Sequence, residues 1–334
     1  MEKLNATLLI KNAREKLEGR DVRRMAAIHT GVAVAVALVS TVLQYVLAEG
    51  VGNTSGLSGI GTRSLLETIQ TVLQYANTLL MPFWSLGFLY VALQWARDSY
   101  VCKEDLLTGF HRFGAYLGLM LNRGLLVFAV TFLTMNVSSI FFMLTPAAAK
   151  ITELGAATKG DVNAVTQYLE TMTLADTMAL MESMIPMLVI WLILCAVLLI
   201  PLLYRFRMAE YVILDNRSAR GLSSMILSAM MLRRRCWQLF RLDLKFWWYY
   251  GLKVLCTALC YADMLLEMMG ISASGEMAYL GSSVLYLVAL FGVEVAFRPQ
   301  VDTAYALAYD TLKEMVPVQK KEPEPPKHMP WEET

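Results

Sequence analysis

The sequence predicts an all-α, polytopic transmembrane bundle of six spans with amphipathic helices on its surfaces. Three observations carry this. First, 57% of the 334 residues are hydrophobic and only 17% are charged, with mean hydropathy +0.48; soluble domains are about 45–50% apolar and about 25% charged. Second, the apolar residues come in blocks of membrane-crossing length rather than dispersed through a globular pattern. Third, Lys and Arg segregate to alternate loops: 24 of the 29 fall in segments assigned to the inner side, against 3 outside. Short loops rich in Lys and Arg stay cytoplasmic, so both termini are expected inside. A net charge of +1 gives no field that would attract nucleic acid.

Residues 1–24 form a basic arm, in which Leu4, Leu8, Leu9, Ala13 and Leu17 suggest a short amphipathic helix. It suits either the inner leaflet or the protein's own cytoplasmic face. The first span covers about 25–48. Val46-Leu47-Ala48 would suit a signal peptidase, but the apolar run exceeds the 7–15 residues of a signal peptide, so a retained helix is expected. A Gly- and Ser-rich outer loop follows to Arg63. From Ser64 to Trp95 the pattern is helical but too long for one straight crossing, which predicts an outer amphipathic part, a kink near Pro82 and a span at about 79–96.

The first inner loop runs from Arg97 to Tyr116, with a short helix expected from Lys103. The third span is placed at 124–144, with Arg123 at its inner edge. The acidic outer loop 146–183 includes Asp161 as a helix cap. The fourth span, 184–203, has Pro186 and Pro201 near its ends. The fifth and sixth lie at about 247–266 and 280–297, and Arg298-Pro299 is expected to end the last. The tail 299–334 is polar and disordered from about 316.

The loop 204–246 dominates the inner side. It carries Arg205, Arg207, Arg217, Arg220, Arg233, Arg234, Arg235, Arg241 and Lys245. Tyr204 to Leu214 extends the fourth helix, Asp215 to Ser218 breaks it, and Ser218 is expected to cap a helix through Met231 with Leu222, Met225, Ile226, Ala229 and Met230 on one side. Arg233-Arg234-Arg235 then sits at a helix C-terminus, where cations are favoured. Phe246 to Tyr250 reads as an aromatic belt at the inner interface.

The Tyr204–Ala209 helix, Ser223–Met231, the run WQLFRLDL at Trp237–Leu244 before Phe246-Trp247-Trp248, and PQVDTAYALAYDTL at Pro299–Leu312 resemble the bacterial multi-pass membrane proteins of domain of unknown function 975. Gln300, where that family usually has tyrosine, and the unbroken Arg233–Arg235 triplet depart from its pattern. The resemblance implies six helices, short cytoplasmic arms and a bacterial inner membrane. It brings no established activity and no site residues. A weaker likeness exists to the membrane portion fused to some glycerophosphodiester phosphodiesterases, whose hydrolase domain has no counterpart in this sequence.

Charges inside spans are expensive and point to function. Lys253, Asp263, Glu294 and Arg298 are the candidates. The bland account competes: Lys253 can snorkel, Glu294 and Arg298 can pair at i,i+4, and Asp263 lies near the outer surface. Arg233, Arg234, Arg235, Arg241 and Lys245 are candidates for anionic lipid headgroups or another membrane protein, with a plain topology anchor as the alternative. His29, His111 and His328 are scattered, and the cysteines Cys102, Cys195, Cys236, Cys256 and Cys260 show no disulfide framework. No catalytic, metal or cofactor motif is present. The expectation is therefore a non-enzymatic scaffold or accessory subunit, with a small-solute transporter or permease as the alternative.

Overall fold

The computed structural model describes residues 4–52, 57–143, 148, 174–261 and 276–315. Among them the chain is α-helical, with one 3-10 helix and no strand. The helices are α1 (Ala6–Leu17), α2 (Val22–Gly52), α3 (Leu57–Ala96), a 3-10 turn (Lys103–Leu107), α4 (Thr108–His111), α5 (Phe113–Phe142), α6 (Leu174–Arg205), α7 (Ala209–Asp215), α8 (Gly221–Met231), α9 (Cys236–Lys245), α10 (Trp247–Cys260) and α11 (Glu276–Glu314). Five of them, α2, α3, α5, α6 and α11, contain stretches long and apolar enough to cross a membrane. The described part of α10, 14 residues, rises about 21 Å at 1.5 Å per residue. The rest of its expected span, including Asp263, lies outside the described residues. So do the expected helix after Asp161 and the tail from 316.

Exposure divides the helices into two zones. In one, large apolar side chains face outward, as lipid allows: Leu65, Val72 and Leu79 on α3, Leu121 to Met143 on α5, Ile185 to Ile200 on α6, Val254 and Leu255 on α10, Leu285 and Val288 on α11. In the other zone the same residue types are buried. Phe83, Leu86 and Leu93 of α3 meet Met208 to Leu214 around α7, Met225 and Met231 of α8, Leu239 and Leu242 of α9, and Val301 to Leu312 of α11. This core is assembled from the segments expected inside, together with the second half of α3. On α3 the exposed apolar residues are therefore 65–80, and the stretch 83–96 is mostly core.

Three expectations about helix ends change. Tyr204 to Leu214 does not simply extend the fourth helix: α6 ends at Arg205, residues 206–208 form a turn, and α7 begins at Ala209. Arg298-Pro299 does not end the last helix: α11 runs through Pro299 to Glu314. Proline removes one N–H from the ladder, and burial of Val301, Ala304, Tyr305, Ala308, Tyr309 and Leu312 outweighs that loss. Ser218 does not cap α8. Its hydroxyl donates to Asn216 Oδ1 at 2.8 Å, and the helix begins after Arg220, whose N–H donates to Ser223 Oγ at 2.9 Å. On α8 the expected single apolar face splits. Met225 is core, while Leu222, Ile226 and Met230 are exposed. The buried face carries Gly221, Ser224 and Ser228 because α5 is so close: a Cβ on Gly221 would lie 2.3 Å from the Gly118 carbonyl carbon. Pro186 and Pro201 sit inside α6, which begins at Leu174.

The N-terminal arm docks on the protein. Leu4, Leu9 and Ala13 join the main core, and Asn5 caps α1 by accepting from Thr7 and Leu8 N–H. Lys16 and Arg20 both reach Asp98. Asp98 has φ +57 at the end of α3, a left-handed position that Asp tolerates, and Ser99 N–H closes back on the Gln94 carbonyl at 3.0 Å.

Burial predicts the mutational map. Leu239→Ala in the core should cost about 2–5 kcal/mol, whereas Leu192→Ala on the lipid-facing surface should cost about 0.5 kcal/mol or less. Unfolding in lipid nanodiscs measures both. The Asp98 clasp should also show in a pH titration. The Lys16 ammonium, with Arg20 beside it, holds the Asp98 carboxyl below its usual range. A depressed folded value stabilises above the unfolded value and is lost as pH falls through the folded one. Docking of α1, followed by amide exchange, should thus be unchanged from pH 8 to 5 and loosen only below about pH 4.

Candidate functional site

Helices α10 and α11 lie antiparallel, and their facing sides carry three of the charges singled out in the sequence. Tyr249 and Lys253 are one turn apart on α10; Glu294, Arg298 and Asp302 form successive turns on α11. Lys253 Nζ lies 2.7 Å from Glu294 Oε1, and the Tyr249 hydroxyl donates to the same oxygen at 3.1 Å. Arg298 Nη1 is 3.4 Å from Glu294 Oε2, and its Nε donates to Asp302 Oδ2 at 3.2 Å. The guanidinium covers the Phe88 ring at 5.1 Å and meets His29 Nδ1 at 3.4 Å. His29 is itself held between Trp84 and Phe88, and Trp84 Nε1 donates to its carbonyl at 2.9 Å. Glu294 is buried while Lys253 remains 41% exposed.

Two carboxylates and two cations thus balance to zero in the cluster. In surroundings of low dielectric such balance is what makes burial tolerable. Beside it a cleft of about 330 Å³ runs between α2, α10 and α11, walled by Ala33, Val34, Ala37, Leu287 and Leu290 with Lys253, Glu294 and Arg298 at its charged end. Three of the four charges expected from the sequence, Lys253, Glu294 and Arg298, are brought together here. Tyr249, His29 and Asp302 complete the cluster and were missed. A cue for Asp302 exists in the i,i+4 spacing of 294, 298 and 302; the packing of α2 on α11 that brings His29 alongside has no sequence signal.

The same helix extends this pairing into the core. Tyr305 donates to Asp243, which also receives Tyr204 and Arg207. Tyr309 donates to Asp215 Oδ2 at 2.9 Å, and Lys313 lies 2.6 Å from the same oxygen. Arg97 joins Asp215 at 2.7 Å to Asp310 at 2.5 Å. Arg207 is therefore not one of a row of free cations.

The basic-loop candidates are placed differently. Arg233, Arg234, Arg241 and Lys245 are exposed and Arg235 is half-buried. Arg234 adopts φ +66 in the turn between α8 and α9. Arg241 lies 6.0 Å from the Trp237 ring. None of the five forms an ion pair with a described residue. Exposed Leu222, Ile226, Met230 and Trp237 flank them.

Glu294→Ala should leave Lys253 and Arg298 facing each other without their carboxylate. The expected loss is about 3 kcal/mol, and Glu294→Gln, which can still accept from Tyr249, should lose less; equilibrium unfolding in lipid resolves the two. No family model, curated protein or solved structure matches the chain.

Proposed function

We propose that this chain is a six-span inner-membrane protein, of the bacterial kind that its likeness to domain of unknown function 975 implies, and that it works as a non-enzymatic scaffold or accessory subunit. Its basic cytoplasmic loop engages anionic lipid headgroups or another membrane protein. The span count rests on parity. Leu9 and Ala13 of α1 and Leu312 near the end of α11 belong to one core cluster, which supports placing α1 and the end of α11 on one side, with an even number of crossings between them. Five helices suffice in length and composition, and α10 is the remaining apolar segment. The Lys and Arg count supports placing the shared core in the cytoplasm.

One observation carries the functional reading. Arg97, Arg207 and Arg298 are each matched with carboxylates, whereas Arg233, Arg234 and Arg235 are left without an ion pair beside exposed Leu222, Ile226, Met230 and Trp237. Cations flanked by apolar side chains at a membrane boundary suit an amphiphilic surface or an acidic partner segment. The α2–α10–α11 cleft favours a second reading, a small-solute transporter using Lys253 and Glu294.

Purification in native lipid, followed by mass spectrometry, tests both. Neutralising all three arginines (R233Q, R234Q, R235Q) should release a stoichiometric membrane-protein partner or anionic lipid while leaving the fold intact. Retention of everything by that variant refutes the scaffold reading. Loss of solute uptake in Lys253→Met, with normal folding, would establish the transporter.

A further inference from the structure

A second basic surface lies away from the Arg233–Arg235 triplet. Helix α1, the first turn of α2 and the middle of α11 enclose an open groove of about 740 Å³. Five cations and three carboxylates line it. Lys11 pairs with Glu15 at 3.7 Å, Arg24 is 4.0 Å from Asp21, and Arg20 is committed to Asp98. Arg14 and Arg23 are exposed and have no ion pair among the described residues. The floor is apolar: Val22, Val295, Ala296 and Pro299. The groove therefore offers two cations without an ion pair among the described residues, Arg14 and Arg23, beside an apolar floor.

The position of this groove decides which ligand it suits. Arg24 is at the foot of a ladder on α2 that continues as Ile28, Val32, Ala35, Val39 and Val42, at successive three- and four-residue steps. From Val32 upward these residues are exposed. The rise from Arg24 to Val39 is about 22 Å, comparable to the length of an acyl chain. Cations at the bottom and a continuous apolar track above match the two ends of one molecule. The α2–α10–α11 cleft lies on the opposite side of α2, against Thr30, Ala33 and Ala37, and is a separate feature.

We infer that this groove is a binding site for one anionic phospholipid, with its phosphate at Arg14, Arg23 and Arg24 and an acyl chain along Val32, Ala35, Val39 and Val42. The inference rests on the cytoplasmic placement of the shared core, because that sets the headgroup level at Arg24. It is independent of what the Arg233–Arg235 triplet binds.

The test is native mass spectrometry of the full chain after delipidation and re-addition of phosphatidylglycerol or phosphatidylcholine. Wild type should retain one phosphatidylglycerol per chain in preference to phosphatidylcholine. The Arg14→Gln/Arg23→Gln double variant should retain it at least about tenfold less, since each cation near a headgroup contributes about 1 kcal/mol. Its melting temperature should stay at the wild-type value, because both side chains are exposed and unpaired. The triplet variant (R233Q, R234Q, R235Q) should keep the lipid. Equal retention by wild type and the double variant, or no preference for the anionic lipid, overturns the proposal. Displacement of the lipid by millimolar inorganic phosphate also overturns it, because the acyl track would then contribute nothing. A failed topology, read by cysteine labelling from each side, would instead identify failure of the cytoplasmic placement.

Discussion

A charge taken out of water needs an opposite charge or a set of hydrogen bonds, and in this protein one helix supplies most of them. Along α11, Glu294, Arg298, Asp302, Tyr305, Tyr309, Asp310 and Lys313 follow one another at steps of one to four residues. They reach α10 through Lys253 and Tyr249, α2 through His29, α9 through Asp243, α7 through Asp215 and α3 through Arg97. Between the polar positions sit Ala304, Ala306 and Ala308, fully buried, whose small side chains let neighbouring backbones approach.

The second organising fact is a reversal of exposure along single helices. On α3, Leu65 to Leu80 point outward and Phe83 to Ala96 are mostly buried; on α11, Leu285 and Val288 point outward and Val301 to Leu312 are buried. Lipid solvates Leu as well as another Leu does, so apolar exposure costs little there. In the other zone the same helices bury their apolar side chains against one another and build an ordinary water-excluding core. Pro82 and Pro299 lie close to the two changeovers.

Hydropathy made the long apolar helices legible, because span length and Lys/Arg segregation act locally along the chain. The break at Asp215–Asn216 and the helix ending at Met231 were legible for the same reason, through turn formers and apolar spacing. The continuation of α11 past Pro299 was not. A proline after Arg298 reads as a stop, and only tertiary contacts make continuation favourable: burial of Val301 to Leu312 and the partners Asp243, Asp215 and Arg97, which lie 62 to 213 residues away in sequence. Which part of α3 is buried in protein was not legible for a related reason. Phe83 to Ala96 is as apolar as a span, and hydropathy cannot distinguish burial in protein from burial in lipid. The pairing of Lys253 with Glu294 was likewise hidden, although each residue had been singled out, because antiparallel register between α10 and α11 carries no local signal.

The central claim is that the second half of α11 is core rather than tail. Amide hydrogen exchange of the intact protein in lipid nanodiscs tests it most directly. The account predicts that amides of Val301 to Leu312 are as strongly protected as those of Leu86 to Leu93 in α3. Exchange of that stretch within seconds, with α3 still protected, would contradict it.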